Sequence, residues 1–157
     1  MTLRLIKKIL TYSIILISLT TAFSLSGYSQ KHHADDILGT WLNEERTAKI
    51  QVYKTGNSYA GKIIWLKEPI DPETGKPKTD KLNPDAKLTS VPLLGLCIMK
   101  NIVFDGEEEW NGGTVYDTKN GKTYKCYFKF ETLVILKLRG YIGFSLLGRK
   151  SHWFKTN

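Results

Sequence analysis

The sequence predicts an all-β fold, a single antiparallel up-and-down β-barrel of about eight strands. Three observations carry this expectation. Short runs that alternate apolar and polar residues recur from Gly39 onward, separated by turns rich in Gly and Asn. No stretch shows the helical repeat over a useful length. All five prolines fall between residues 67 and 92, and because proline removes a backbone donor and fixes φ, the strands must lie on either side of that segment.

The elements follow in order. "ILGTWLN" opens the folded part. In the next run Ala48, Ile50 and Val52 alternate with Lys49, Gln51 and Tyr53. After the interruption "KTGNS", Ile63 and Trp65 alternate with Lys62, Ile64 and Leu66, so the pair reads as a hairpin. Residues 67–92 read as a long Pro-rich loop holding one helical turn, with Asn83 as its cap, Pro84 in the first position and Asp85 in the first turn. Loops of this length often cover a site. Strands resume with "LLGLCIMKNIVF", turn at "DGEE", and continue as "EWNGGTVYD" and "KTYKCYFKF". In the last of these Tyr124, Cys126, Phe128 and Phe130 share one face, with Thr123, Lys125, Tyr127 and Lys129 on the other. Between them the Asn120-Gly121 pair is expected to supply the positive φ angles of a tight hairpin, with Asp117 and Thr118 at the turn's mouth bonding to the backbone. "TLVILKL" and "FSLLGRKSHWF", joined through "RGYIG", complete the set.

The first thirty residues have a different character. Arg4, Lys7 and Lys8 precede the apolar "ILTYSIILISLTTAF", and the small and polar "SLSGYSQ" follows. This is the layout of a secretory signal peptide over residues 1–29, ahead of a domain from 30 to 157. Gly27 and Ser29 suit cleavage before Gln30, and Ser24 with Ser26 would suit cleavage before Gly27. The apolar run, Ile9 to Phe23, is shorter than the ~20 residues of a spanning helix, and no cysteine follows it for lipid attachment. The expected destination is the periplasm or the exterior. Residues 1–30 carry three of the 23 basic residues and none of the 15 acidic ones, leaving +5 for the remainder. Its lysines are scattered singly, as on a solvated strand face. That excludes a nucleic-acid footprint and allows weak association with an anionic envelope surface. Cys97 and Cys126 permit one disulfide in an exported chain. However, the expected fold places a whole strand between them, about 9–10 Å, beyond the reach of a bridge. Two thiols acting as small apolar residues is the other reading.

Gly39-Thr40-Trp41 at the first strand, with Arg149 on the last, resembles the signature of lipocalins and fatty-acid-binding barrels. The resemblance implies that Trp41 plugs one end and that Arg149 lies over its indole, a contact of roughly 0.5–2 kcal/mol. More closely, "ILGTWLNEERTAKIQVYKTG", "AGKIIWL", "DKLNPDAKL", "PLLGL", "EWNGGTVYDTKNGKTYKCY" and "LRGYIGFSLLGRKSHW" together resemble the exported bacterial family catalogued as domain of unknown function 2147. That resemblance implies a small lipocalin-like barrel, usually with a signal peptide, and no assigned activity. Two departures stand out. Val91 occupies a place before "PLLGL" where a basic residue is expected, and "FETLVILKLRG" is more apolar than the family's usual approach to "RGYIG".

Large amphipathic rings at a barrel mouth suit ligand binding. The expected ligand residues are accordingly Trp65, Trp110, Tyr116, Arg139 and Tyr141, with Arg139 pairing an anionic group of the ligand. Trp41 and Arg149 are assigned to barrel closure. No catalytic residue is assigned. Tyr116 and Asp117 are strand neighbours that point to opposite faces, and no nucleophile-elbow, zinc-protease or phosphate-loop pattern occurs. No cofactor is implied. His32 and His33 are expected in a mobile tail and His152 stands apart, so no zinc site is expected. The loop acids Glu68, Asp71, Glu73, Asp80 and Asp85 alternate with lysines 67, 76, 78, 81 and 87, which fits a solvated lid and no calcium pattern. The expected function is binding of a small apolar or amphipathic molecule, such as a lipid. The alternative is an envelope interaction module whose barrel is filled by its own side chains. A hydrolase or isomerase is least supported.

Overall fold

The computed structural model describes residues 31–143 and 148–156. The signal-peptide segment and Phe144–Leu147, expected at the start of the last strand, lie outside the described residues. A 3-10 turn, Ala34–Ile37, leads into β1 (Gly39–Leu42), β2 (Ala48–Thr55), β3 (Ser58–Leu66), β4 (Cys97–Phe104), β5 (Glu109–Asn111), β6 (Thr114–Asp117), β7 (Lys122–Thr132), β8 (Ile135–Tyr141) and β9 (Gly148–Thr156). Every pairing is antiparallel between neighbours around a ring. β1 closes on β9 and β3 closes on β4. Both β5 and β6 lie between β4 and β7, so together they act as one strand of an eight-stranded closed barrel. The expected all-β up-and-down barrel is therefore what forms.

The run "EWNGGTVYD" is interrupted, and the reason is local. β4 carries a bulge-like kink at Asn101, whose φ is +56°. A Cβ on Gly113 would lie 2.1 Å from the Lys100 carbonyl oxygen. Only glycine lets the two backbones approach so closely, and the pleat breaks there into β5 and β6.

Alternation assigns the inner face. Along β8, Leu136, Leu138 and Gly140 are buried while Ile135, Lys137, Arg139 and Tyr141 are partly exposed. Along β7, Cys126 and Phe128 are buried between exposed or half-buried neighbours. At the end of the barrel where the chain enters, these inner faces are aromatic. Trp41, Trp110 and Phe128 are fully buried. Phe130 packs against Trp41 at 5.9 Å and against Trp110 at 5.3 Å. The 3-10 turn seals this end. Trp41 Nε1 donates to the Ile37 carbonyl at 2.9 Å and Trp110 Nε1 to the Ala34 carbonyl at 2.8 Å, which satisfies both buried indoles.

Four expectations are corrected. The cation over Trp41 is Lys155, with Nζ 5.4 Å from the ring, not Arg149. Register explains this, because Trp41 pairs with Lys155 across β1 and β9, while Arg149 is six residues further along, about 20 Å at strand rise. His32 is not in a mobile tail; it stacks on Phe130 at 4.7 Å and lies 3.5 Å from the Asp36 carboxylate. The helical turn of the long loop spans Ala86–Leu88 and is capped by Asp85, which accepts from Lys87 N at 2.9 Å. Asn83 instead accepts from Asp85 N one turn earlier. Finally, the β6–β7 connection is a four-residue loop in which Gly121, at φ +68°, has positive φ and Asn120 does not.

The cysteines stand on β4 and β7 with β5 and β6 between them, and neither is bridged. Cys97 is half-buried beside the Tyr53 hydroxyl, 3.9 Å away. Cys126 belongs to the core, where burial pushes its thiol up to about 12.

Two predictions follow from this packing. Gly113→Ala should lower stability by about 1–3 kcal/mol, since the β4 backbone must yield to the new methyl; a denaturant midpoint equal to wild type would contradict the close approach. A thiol reagent at neutral pH should modify Cys97 in the native protein, with Cys126 reacting only after unfolding. Peptide mapping of the labelled protein checks this order.

Candidate functional site

At the opposite end from the aromatic plug, most inner positions are branched or small, with Trp153 the large exception. Ile50, Ile63, Ile98, Val115, Leu138 and Trp153 form the walls of a cavity of about 500 Å³, and Ala48, Gly140 and Ser151 leave it room. The hollow exists because the large rings are concentrated at the other end. Its mouth is ringed by the β1–β2 loop, the long loop after β3, the β6–β7 hairpin and the start of β9.

The long loop is pinned, not free. Asp80, 1% exposed, accepts from the Tyr116 hydroxyl at 2.8 Å and from Asn83 Nδ2 at 2.7 Å. Asp71, also buried, accepts from Glu73 N at 2.9 Å and pairs with Lys81. Two of the five loop acids are therefore structural, a correction to the solvated-lid expectation. The contact with Asp80 also acts on Tyr116. Burial first, and then the hydrogen bond to this carboxylate, push its phenol up to about 12. At the hairpin tip a Cβ on Gly121 would strike the Leu82 carbonyl oxygen at 1.9 Å, so the loop lies directly on the hairpin.

Charged groups cluster at the rim. Glu45 Oε1 lies 3.1 Å from Lys119 Nζ and 3.6 Å from Arg149 Nη2, and Glu45 Oε2 accepts from Asn43 Nδ2 at 3.0 Å. Burial raises the Glu45 pKa, but the Lys119 hydrogen bond, a backbone hydrogen bond and the two cations outweigh it and hold the carboxyl below its ordinary value. Lys78 pairs with Glu68 at 3.2 Å. Asp117, also on the rim, accepts from Lys119 N and Asn120 Nδ2, each at 2.9 Å, as the hairpin reading expects.

Of the expected ligand residues, Tyr116 reaches the cavity wall, with its hydroxyl committed to Asp80. The others do not. Trp110 is buried in the closed end. Trp65, 40% exposed, lies on the outside of β3 with Lys49 Nζ 6.0 Å from its ring. Arg139 and Tyr141 occupy the outward positions of β8, opposite Tyr127 and Lys125 of β7. Arg149 is at the mouth, in place of its expected role at Trp41. Glu45, Lys119, Ser151 and Trp153 line the cavity but were not among the expected ligand residues. The alternation of β9 carried a signal for the last two, because Arg149, Ser151 and Trp153 share a face. Among the described residues no group of His, Cys, Asp and Glu is arranged to hold a metal.

A closed eight-stranded barrel with one plugged and one open end defines a lipocalin-like fold. The chain belongs to the family DUF2147, described as an uncharacterized protein conserved in bacteria, whose model matches residues 39–155. Among solved structures it is similar to protein HP1028 from the human pathogen Helicobacter pylori, described as belonging to the lipocalin family. The two share 21% identity over 77% of this chain and 83% of that one, with a TM-score of 0.65. No curated protein matches the chain.

Tyr116→Phe should leave a buried Asp80 oxygen without a donor, costing about 1–3 kcal/mol. Faster proteolysis within residues 67–92, together with a lower denaturant midpoint, is the expected outcome.

Proposed function

We propose that the protein is an exported binding protein that takes a small apolar or amphipathic molecule into the open end of its barrel. The observation that carries this reading is the cavity: about 500 Å³, walled by Ile50, Ile63, Ile98, Val115, Leu138 and Trp153. Its volume falls within the ~300–1,000 Å³ of small-molecule sites. A barrel serving only as a scaffold would be filled by its own side chains at both ends, as this one is at the plugged end. Export is supported by the signal-type order of Arg4, Lys7 and Lys8, the apolar run and the small residues after it. At the mouth, Tyr116 and Asp117 are each committed to a structural partner.

Native mass spectrometry of the protein purified from its own envelope tests the reading, with extraction of whatever is bound. A stoichiometric small molecule is expected. Ser151→Trp should fill the cavity from β9 and reduce uptake of a neutral fluorescent naphthylamine dye at least about tenfold. Arg139→Ala, on the outward side of β8, should retain uptake. An empty wild-type protein that ignores the dye would count against any ligand and in favour of an envelope interaction module.

A further inference from the structure

At the mouth, two cations meet on one carboxylate oxygen of the protein itself. Lys119 from the β6–β7 hairpin and Arg149 from β9 both approach a single oxygen, Glu45 Oε1, at 3.1 and 3.6 Å. These three side chains come from three separate elements around the rim, and all three line the cavity. Two cations from different elements converge on one point above an apolar chamber. That arrangement is complementary to a molecule with an apolar body and a single anionic head at its outer end.

We propose that the ligand is a monoanionic amphiphile, held with its apolar body inside and its head at Lys119 and Arg149, and that Glu45 is a resident competitor which the head displaces. This inference rests on the ligand-binding reading above and specifies its substrate class and gate. The energetics permit exchange. Lys119 and Arg149 are 58% and 72% exposed and Glu45 41% exposed, and ion pairs of such exposed groups are weak and readily rearranged. Glu45 has a second partner in Asn43, which retains the displaced carboxylate near the β1–β2 loop. Releasing Glu45 also unties the β1–β2 loop from the Lys119 and Arg149 side chains.

The test compares decanoate with its neutral counterpart decanol, each displacing a neutral naphthylamine dye from the purified chain. Wild type should favour decanoate. Glu45→Gln removes the competitor and should raise the decanoate-to-decanol affinity ratio about fivefold, the scale of one exposed ion pair. The double variant Lys119→Gln, Arg149→Gln should lower that ratio about tenfold. Glu44→Gln makes the same change in net charge one residue away, where Glu44 faces His152 at 3.2 Å outside the cavity. It should leave the ratio within about twofold, separating the local site from the general field of the protein. If the dye and decanol bind but the ratio moves alike in Glu45→Gln and Glu44→Gln, or in neither, the anionic-head site is wrong while ligand binding stands. If dye, decanol and decanoate all fail to bind wild type, the ligand-binding reading falls and this inference with it.

Discussion

The antiparallel pairing of β1 with β9, in which Thr40, Trp41 and Leu42 meet Thr156, Lys155 and Phe154, joins the two ends of the sheet, and the other features depend on that closure. An open sheet of these strands would present two edges and a face of large apolar residues to water. Closing it turns every second residue inward and leaves no free edge. The inner positions of all strands then compete for one volume, and the sizes of the side chains at each level decide where it is full and where it is hollow.

That competition has an asymmetric outcome. Trp41 and Trp110 occupy the plugged end, each ring against Phe130, and Phe128 is buried with them in the core while its ring meets Trp153. Ala48, Gly140 and Ser151 leave the other end open. The two indole N–H groups at the plug are satisfied by backbone carbonyls of the short 3-10 turn that precedes β1. A strand-poor segment of four residues thereby completes the core, which also explains why the turn contributes a fully buried Ile37.

At the open end, buried and exposed contacts stand side by side. The Pro-rich loop is attached to β6 through the buried Asp80, which accepts from Tyr116, and loss of that donor leaves a polar atom stranded. The clasp of Glu45 with Lys119 and Arg149 is exposed, and its partners can be exchanged at little cost. The rim therefore combines a loop held through a buried contact with an exposed cluster of charges.

Much of this was legible in the residues. The period of two in β2, β7 and β8, the concentration of proline between 67 and 92, and the Gly39-Thr40-Trp41 start are local patterns. Local sterics and burial on one face determine them, so they fix strand existence, facing and the barrel class without reference to distant residues. What the tertiary structure decided is the level of each side chain along the barrel axis, which depends on register between strands far apart in sequence. Arg149 carries the right charge for Trp41, yet hydrogen bonding between β1 and β9 sets Lys155 there and leaves Arg149 at the mouth. Trp65 and Trp110 both sit at strand ends in the sequence, and only closure shows that one faces outward and the other lies in the plug. The meeting of Glu45, Lys119 and Arg149 had no local signal, because two connections and the start of β9 are brought to one rim only by the ring of strands between them.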